Sequence, residues 1–283
     1  SRCTTAASSG TSTVMSRNRN HTTETRGQAA ALIEKYITGA NLRNTIRQSL
    51  EEDLGPGDLT AVIFPKSAKG KAVLLAKADG VLSGSYLVDA VFRHLSRSAK
   101  VRWLTKDGKR FRSGDYLAEI TGPMTVLLQG ERVALNFLQR MSGIATLTRQ
   151  FVDIAGPGKN RPGIYDTRKT TPTLRAFEKK AVADGGGKNH RFALYDMAML
   201  KNNHIDAAGG VGEAVQKLID NGFYNRRPRL GLCIEARTRD EAVEATWCGA
   251  DIIMLDNMTP AQIRKAAADV AREARSMKIP VPE

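Results

Sequence analysis

Apolar residues recur in two rhythms along the chain, and each rhythm predicts a different kind of domain. Leu42, Ile46, Leu50 and Leu54 lie four apart, which puts them on one face of a helix over 42–54. Gly55-Pro56-Gly57-Asp58 breaks that helix. Short β-like runs dominate the next stretch, at 71–77, 80–83, 101–104 and 116–121, with Gly-bearing turns at 106–109 and 113–115 between them. A helix over 85–95 lies among these runs, so the segment reads as a small α+β domain. A longer helix, 126–141, bridges to the second half.

There the rhythm changes. Short apolar runs at 163–166, 198–200, 230–234 and 251–255 each end at or beside a charged residue: Asp166, Lys201, Glu235 and Asp256. Helical stretches over 171–184, 212–221, 239–247 and 259–277 alternate with them, and this alternation predicts a parallel sheet with right-handed crossovers. In a (β/α) barrel the strand interiors are packed and the chemistry sits where strands end at the C-terminal face. Four successive strand ends bearing charges of both signs point to a site rather than to chance.

Composition narrows the class. Apolar content of 41% and charged content of 25% suit a globular protein, and runs such as Ile252–Leu255 are far too short for a membrane span, so no membrane partner is expected. Cys3, Cys233 and Cys248 show neither CxxC spacing nor an even framework, which argues against a disulfide scaffold or zinc site and for a reducing, cytoplasmic setting. Residues 1–20 are rich in Ser and Thr, carry Arg2, Arg17 and Arg19 and have no acid, a composition shared by disordered tails and organelle transit peptides. Residues 1–40 are accordingly expected to be a tail or leader. Of the formal net charge of +14, that segment supplies only +3, so the folded body holds the cationic excess. Nucleic acid is the usual explanation for such an excess. Against it, aromatic residues are only 6% and the cations cluster at strand ends.

The densest segment is Asp166-Thr167-Arg168-Lys169-Thr170-Thr171-Pro172, where a helix opened by Thr171 with Pro172 at its first position would offer backbone N–H groups to an anion. Gly185-Gly186-Gly187-Lys188-Asn189-His190-Arg191 adds a backbone that approaches a ligand closely and a second cationic pair. Lys201-Asn202-Asn203-His204 follows closely, and Arg132 lies on the bridging helix, where it either snorkels or aims its fork at a carboxylate. Glu235 and Asp256 beside so many cations would repel an anion. They become useful if Mg²⁺ rides on a polyphosphate or if positive charge develops on a ribose. Together these residues suggest a phosphoribosyl diphosphate as substrate.

The same runs resemble the quinolinate phosphoribosyltransferases (nicotinate-nucleotide pyrophosphorylases). The resemblance rests on 166–172, 185–191, Leu200-Lys201-Asn202-Asn203-His204-Ile205 and 250–257, with 51–60 and 130–136 upstream, and it spans 41–283. It implies an α/β protein with an N-terminal α/β sandwich domain over 41–136 and an incomplete (β/α) barrel over 137–283, assembled as a homodimer or a multiple of dimers. Arg168, His190 and Arg191 would hold the quinolinate carboxylates, with Arg132 contributed by the partner subunit. Lys169 and Lys201 would bind phosphate or pyrophosphate oxygens; Glu235 and Asp256 would hold the ribose hydroxyls and Mg²⁺. The implied products are nicotinate mononucleotide, pyrophosphate and CO₂.

The chain departs from the resembled family pattern at Thr173, where members usually have Gly, at Arg237, where they usually carry an acid, and at Asn202, where they often have an acid. Ile279-Pro280-Val281-Pro282-Glu283 reads as the start of a further strand, the fifth, and the family's Ser/Gly-rich phosphate loops would follow it. A chain ending at Glu283 is therefore expected to look truncated, with an exposed sheet edge and little activity. Three rival readings remain: a basic nucleic-acid-binding module, a non-catalytic or truncated paralogue, and a sibling transferase acting on another nitrogenous acid such as nicotinate.

Overall fold

The computed structural model describes residues 21–158, 161–226 and 230–283 and divides into two compact units, 30–192 and 193–283 with 21–29. Among the described residues no helix is long and apolar enough to cross a membrane. The protein is mixed α/β, as its two apolar rhythms predict.

The expected tail does not extend to residue 40. Helix α1 runs from His21 to Thr38, and Ala29, Ile33 and Ile37 on it are 1%, 4% and 5% exposed. Those three residues are four apart, the same signal that marks the next helix, α2 (Ala40–Leu54), where Ile46 and Leu50 are buried. The tail expectation extended the composition of residues 1–20, which lie outside the described residues, across a segment whose apolar stripe can pack.

In unit 30–192 an antiparallel sheet of β1 (Lys69–Leu75), β5 (Tyr116–Pro123) and β3 (Lys100–Trp103) has β5 at its centre. Leu117, Ala118 and Ile120 of β5 are buried, while Glu119 reaches out to Lys71 at 2.8 Å and to Arg102 at 2.6 Å on the flanking strands. A two-stranded ladder joins β2 (Gly80–Val81) to β4 (Arg110–Phe111). Helix α3 (Ser85–Leu95) lies where its pattern predicts and buries Leu87, Val88, Val91 and Phe92.

Helix α4 spans Met124–Ile154, well past the expected end at Met141. Beyond Met141 the helix continues through Ser142, whose Oγ accepts from Ser83 N at 3.1 Å, and through Gly143 on the open side. Both residues thus fit a helix that α3 already supports. Gly130 is where α3 and α4 approach: a Cβ there would sit 2.7 Å from the Phe92 ring. The helix carries buried residues at three- and four-residue spacing from Leu127 to Val152 and forms the spine of this unit.

Unit 193–283 repeats strand and helix. Strands β6 (Met197–Leu200), β7 (Gly231–Ala236) and β8 (Ile252–Leu255) form a parallel sheet in that order. Helices α6 (Asn202–Ala208), α7 (Val211–Asp220), α8 (Arg239–Trp247) and α9 (Pro260–Ser276) connect or follow them. Ile205, Val211, Val215, Leu232 and Ile234 pack in one core. Thr238 and Thr259 cap α8 and α9 with their hydroxyls, and Pro260 opens α9. At Glu283 the backbone donates to Asp251 O at 3.2 Å and accepts from Ile253 N at 2.9 Å, so the run expected as a further strand begins to pair with β8.

Two expected elements change. The run 163–166 forms one parallel bridge, Tyr165 to Lys188, rather than a named strand. Helix α5 spans Arg175–Asp184, so Pro172 is not its first residue. The cause is Thr173, which has φ of 68°, in the left-handed region that helical backbone cannot use. A β-branched residue is strained there. Thr173→Gly, an exposed change that removes the strain, is therefore expected to raise stability by about 1 kcal/mol despite glycine's larger unfolded-state entropy. A melting temperature below wild type, read by calorimetry, would contradict it.

Candidate active site

A buried ion pair organises the cationic turn of unit 30–192. Asp166 follows the Tyr165 bridge, and its Oδ1 meets Lys179 Nζ of α5 at 2.5 Å, with the two side chains 6% and 0% exposed. The same Oδ1 accepts from His190 N at 2.8 Å, and Oδ2 accepts from Asn189 Nδ2 at 2.7 Å. Lys179 Nζ also donates to His190 O at 3.1 Å, and Asn189 Nδ2 to Lys179 O at 2.9 Å. Asp166, Lys179, Asn189 and the His190 peptide therefore satisfy one another, which is the condition for burying charge. The result fixes Thr167–Lys169 and His190–Arg191 to one scaffold.

Glu178, next to Lys179, holds the other end of the same loop. Its Oε2 accepts from Thr171 N at 3.1 Å and its Oε1 from Arg140 NH2 at 2.6 Å, while Arg140 also donates to the Thr171 hydroxyl. Arg175 adds hydrogen bonds to Thr170 Oγ1 at 3.1 Å and to Phe192 O at 3.3 Å. The glycine turn packs rather than flexes: a Cβ at Gly185 would lie 2.5 Å from Ala145 O of α4, and one at Gly187 would lie 2.7 Å from Val182. Tyr36 of α1 stacks on Phe192 at 5.1 Å, directly behind Arg191.

On this scaffold Arg191 is 5% exposed, Arg168 and His190 are half-buried, and Lys169 is exposed with its backbone N on Thr167 Oγ1. Arg168 Nε is buried and meets no acceptor among the described residues. Arg132 lies exposed on α4. Four of the expected residues, Arg168, Lys169, His190 and Arg191, are thus brought onto one framework.

The other three share the sheet of unit 193–283. Leu200 is opposite Ile234 in the parallel register, so Lys201 and Glu235 come next on adjacent strands. Glu235 pairs with Met254, and Asp256 follows β8 with its backbone N on Ala236 O at 3.0 Å. Lys201 is the N-cap of α6, accepting from His204 N and Ile205 N through its carbonyl while its own N donates to His204 Nδ1 at 3.0 Å. Asn257, at φ of 55°, turns back so that Nδ2 donates to Asp256 Oδ2 at 2.9 Å.

Residues 58–142 and 144–282 match the two family profiles described as the N-terminal and C-terminal domains of quinolinate phosphoribosyl transferase. The chain is 41% identical over 226 residues to a Nicotiana tabacum protein named mitochondrial quinolinate phosphoribosyltransferase (decarboxylating) 2b, covering 77% of this chain and 63% of that one. It is 39% identical to a probable nicotinate-nucleotide pyrophosphorylase (carboxylating) of Bacillus subtilis, over 80% of this chain and 76% of that one. The crystal structure of NadC from Streptococcus pyogenes superposes with a TM-score of 0.76 at 42% identity, over 81% of this chain and 80% of that one.

The chain belongs to the quinolinate phosphoribosyltransferase family. It spans 63% of the length of the tobacco relative. Arg132 falls within the family's N-terminal profile, and Arg168, Lys169, His190, Arg191, Lys201, Glu235 and Asp256 fall within its C-terminal one.

Sequence reasoning missed Lys179, Asn189, Glu178 and Arg140, which hold the turns carrying Arg168, Lys169, His190 and Arg191. The signal for Lys179 was a lysine three residues after Ala176 on the buried face of α5, a position where a charge needs a partner. Lys179→Met leaves the Asp166 carboxylate buried with amide donors alone and is expected to lower stability by about 3–5 kcal/mol, measured by chemical denaturation. Adding Asp166→Asn should recover much of that loss. A single variant within 1 kcal/mol of wild type, by the scale for exposed pairs, would contradict the role given to this pair.

Proposed function

We propose that this chain transfers the phosphoribosyl group of phosphoribosyl pyrophosphate to quinolinate, with loss of CO₂, to give nicotinate mononucleotide. What carries the reading is the Asp166–Lys179 scaffold, which gathers Arg168, His190 and Arg191 on one framework, together with a buried Arg168 Nε for which no described residue supplies an acceptor. A planar fork and an adjacent imidazole and guanidinium suit the two carboxylates of a pyridine dicarboxylate. A monocarboxylate such as nicotinate would leave part of that set unmet.

In the reaction the pyridine nitrogen bonds to the anomeric carbon as the carbon–oxygen bond to pyrophosphate breaks. The C2–carboxylate bond then breaks, CO₂ leaves, and its electron pair stays on C2, which takes up a proton. Arg168, His190 and Arg191 orient the ring through its carboxylates, so the nitrogen is presented in one geometry. Lys169 and Lys201 supply positive charge to the departing pyrophosphate, and Glu235 and Asp256 face the ribose, where positive charge develops. Among the described residues no group of three or more His, Cys, Asp or Glu is placed to hold a metal. The two carboxylates on neighbouring strand ends still fit Mg²⁺, which binds through one or two carboxylates plus substrate phosphates. When bound, Mg²⁺ would neutralise pyrophosphate charge. In this reading the chain works as a homodimer in which the partner's exposed Arg132 reaches the carboxylates, in the cytoplasm.

The test is turnover with quinolinate, phosphoribosyl pyrophosphate and Mg²⁺, followed by CO₂ release, on wild type and Arg168→Ala. Activity that drops at least about 100-fold in the variant supports the assignment. Activity that survives Arg168→Ala, or a wild type that neither turns over nor gains melting temperature with quinolinate, would sink it.

A further inference from the structure

Two residues beyond Glu235, Arg237 spreads its guanidinium across two helices. NH1 and NH2 donate to Asp206 Oδ2 and Oδ1 of α6 at 3.0 and 2.8 Å, a fork-to-carboxylate pair. NH2 also donates to Glu241 Oε1 of α8 at 2.7 Å, and Nε to the same oxygen at 3.2 Å. The Arg237 backbone N closes the loop on Glu241 Oε2 at 2.6 Å. The hydrogen bonds to Glu241 and then Asp206 push the guanidinium's pKa above its ordinary value, so the charge is permanent. Burial raises Glu241, but its bonds to Arg237 outweigh that and hold its pKa below the ordinary carboxylate value.

A crevice of about 380 Å³ separates the end of α6 from α8, with Gly209 and Gly210 on one wall and Glu244 on the other. Apolar packing therefore does not join these helices there, and the Arg237 guanidinium crosses the gap. What it joins is informative. Asp206 lies on the seven-residue helix whose N-cap is Lys201, and Ile205 N donates to Lys201 O at 3.0 Å. Arg237 itself continues the strand that carries Glu235. The pair with Asp206 is largely exposed, with side-chain exposures of 35% and 59%, so its value for global stability is small. Its geometric consequence is larger.

We propose that Arg237 is a positioning residue: by bridging α6 and α8 it holds α6, and with it the N-cap Lys201, beside the strand end that carries Glu235, and so tunes recognition of the phosphoribosyl diphosphate rather than of quinolinate. This rests on the function proposed above. A lysine cannot replace it, because one ammonium cannot form the fork with Asp206 and also meet Glu241.

Calorimetric binding of phosphoribosyl pyrophosphate with Mg²⁺, and separately of quinolinate, to wild type, Arg237→Gln and Arg237→Lys tests this. Arg237→Gln is expected to weaken phosphoribosyl pyrophosphate binding about tenfold, with quinolinate unchanged within about twofold and no full rescue by Lys. Asp206→Asn in the Gln background should add little. Equal weakening for both ligands, which general damage would cause, or no change for either, would overturn it. Hydrogen exchange separates this from a failure of the functional reading. If wild type binds neither ligand, that reading fails, while faster exchange at His204 and Ile205 N–H in Arg237→Gln still supports the bridge and unchanged exchange overturns it.

Discussion

One buried charge pair, Lys179 with Asp166, fixes the two turns that carry Arg168, Lys169, His190 and Arg191. Burying two charges is expensive, and the expense is tolerable only because both oxygens of Asp166 and the Lys179 ammonium find further partners in Asn189 and the His190 peptide. Asp166 and the Asn189–His190 segment lie 23 and 24 positions apart in the chain. The turn after Asp166 and the turn before Arg191 cannot move independently while the pair holds. Glu178, its neighbour in α5, pins the same loop at Thr171 through Arg140. A helix with two consecutive buried charges, one toward each side, therefore works as a brace.

The sheet of unit 193–283 solves its positioning problem differently. Parallel register places Lys201, Glu235 and Asp256 at successive strand ends, and their spacing follows from ladder geometry. Arg237, just past Glu235, joins the carboxylates of Asp206 and Glu241.

Much of this was legible in the sequence. The helix over 85–95, the strands near 71–77, 101–104 and 116–121, and the alternation beyond 197 all follow from apolar period, and the structure has them. The residues at strand ends were legible because charges at the close of apolar runs are conspicuous. The brace was not, since nothing in the order of residues tells Lys179 that its partner lies thirteen positions back. The helix over 21–38 was hidden by a tail-like composition just before it. Helix α5 starts late because of a backbone angle at Thr173 that sequence does not display.

The account turns on whether the brace serves the ligand. The most direct measurement is the affinity for quinolinate, by titration calorimetry, of wild type against the charge-neutral pair Asp166→Asn with Lys179→Met, with circular dichroism confirming that both are folded. The account predicts a folded double variant whose quinolinate affinity falls at least about tenfold, because Arg168, His190 and Arg191 lose their common anchor. A folded double variant that binds quinolinate as tightly as wild type would contradict it.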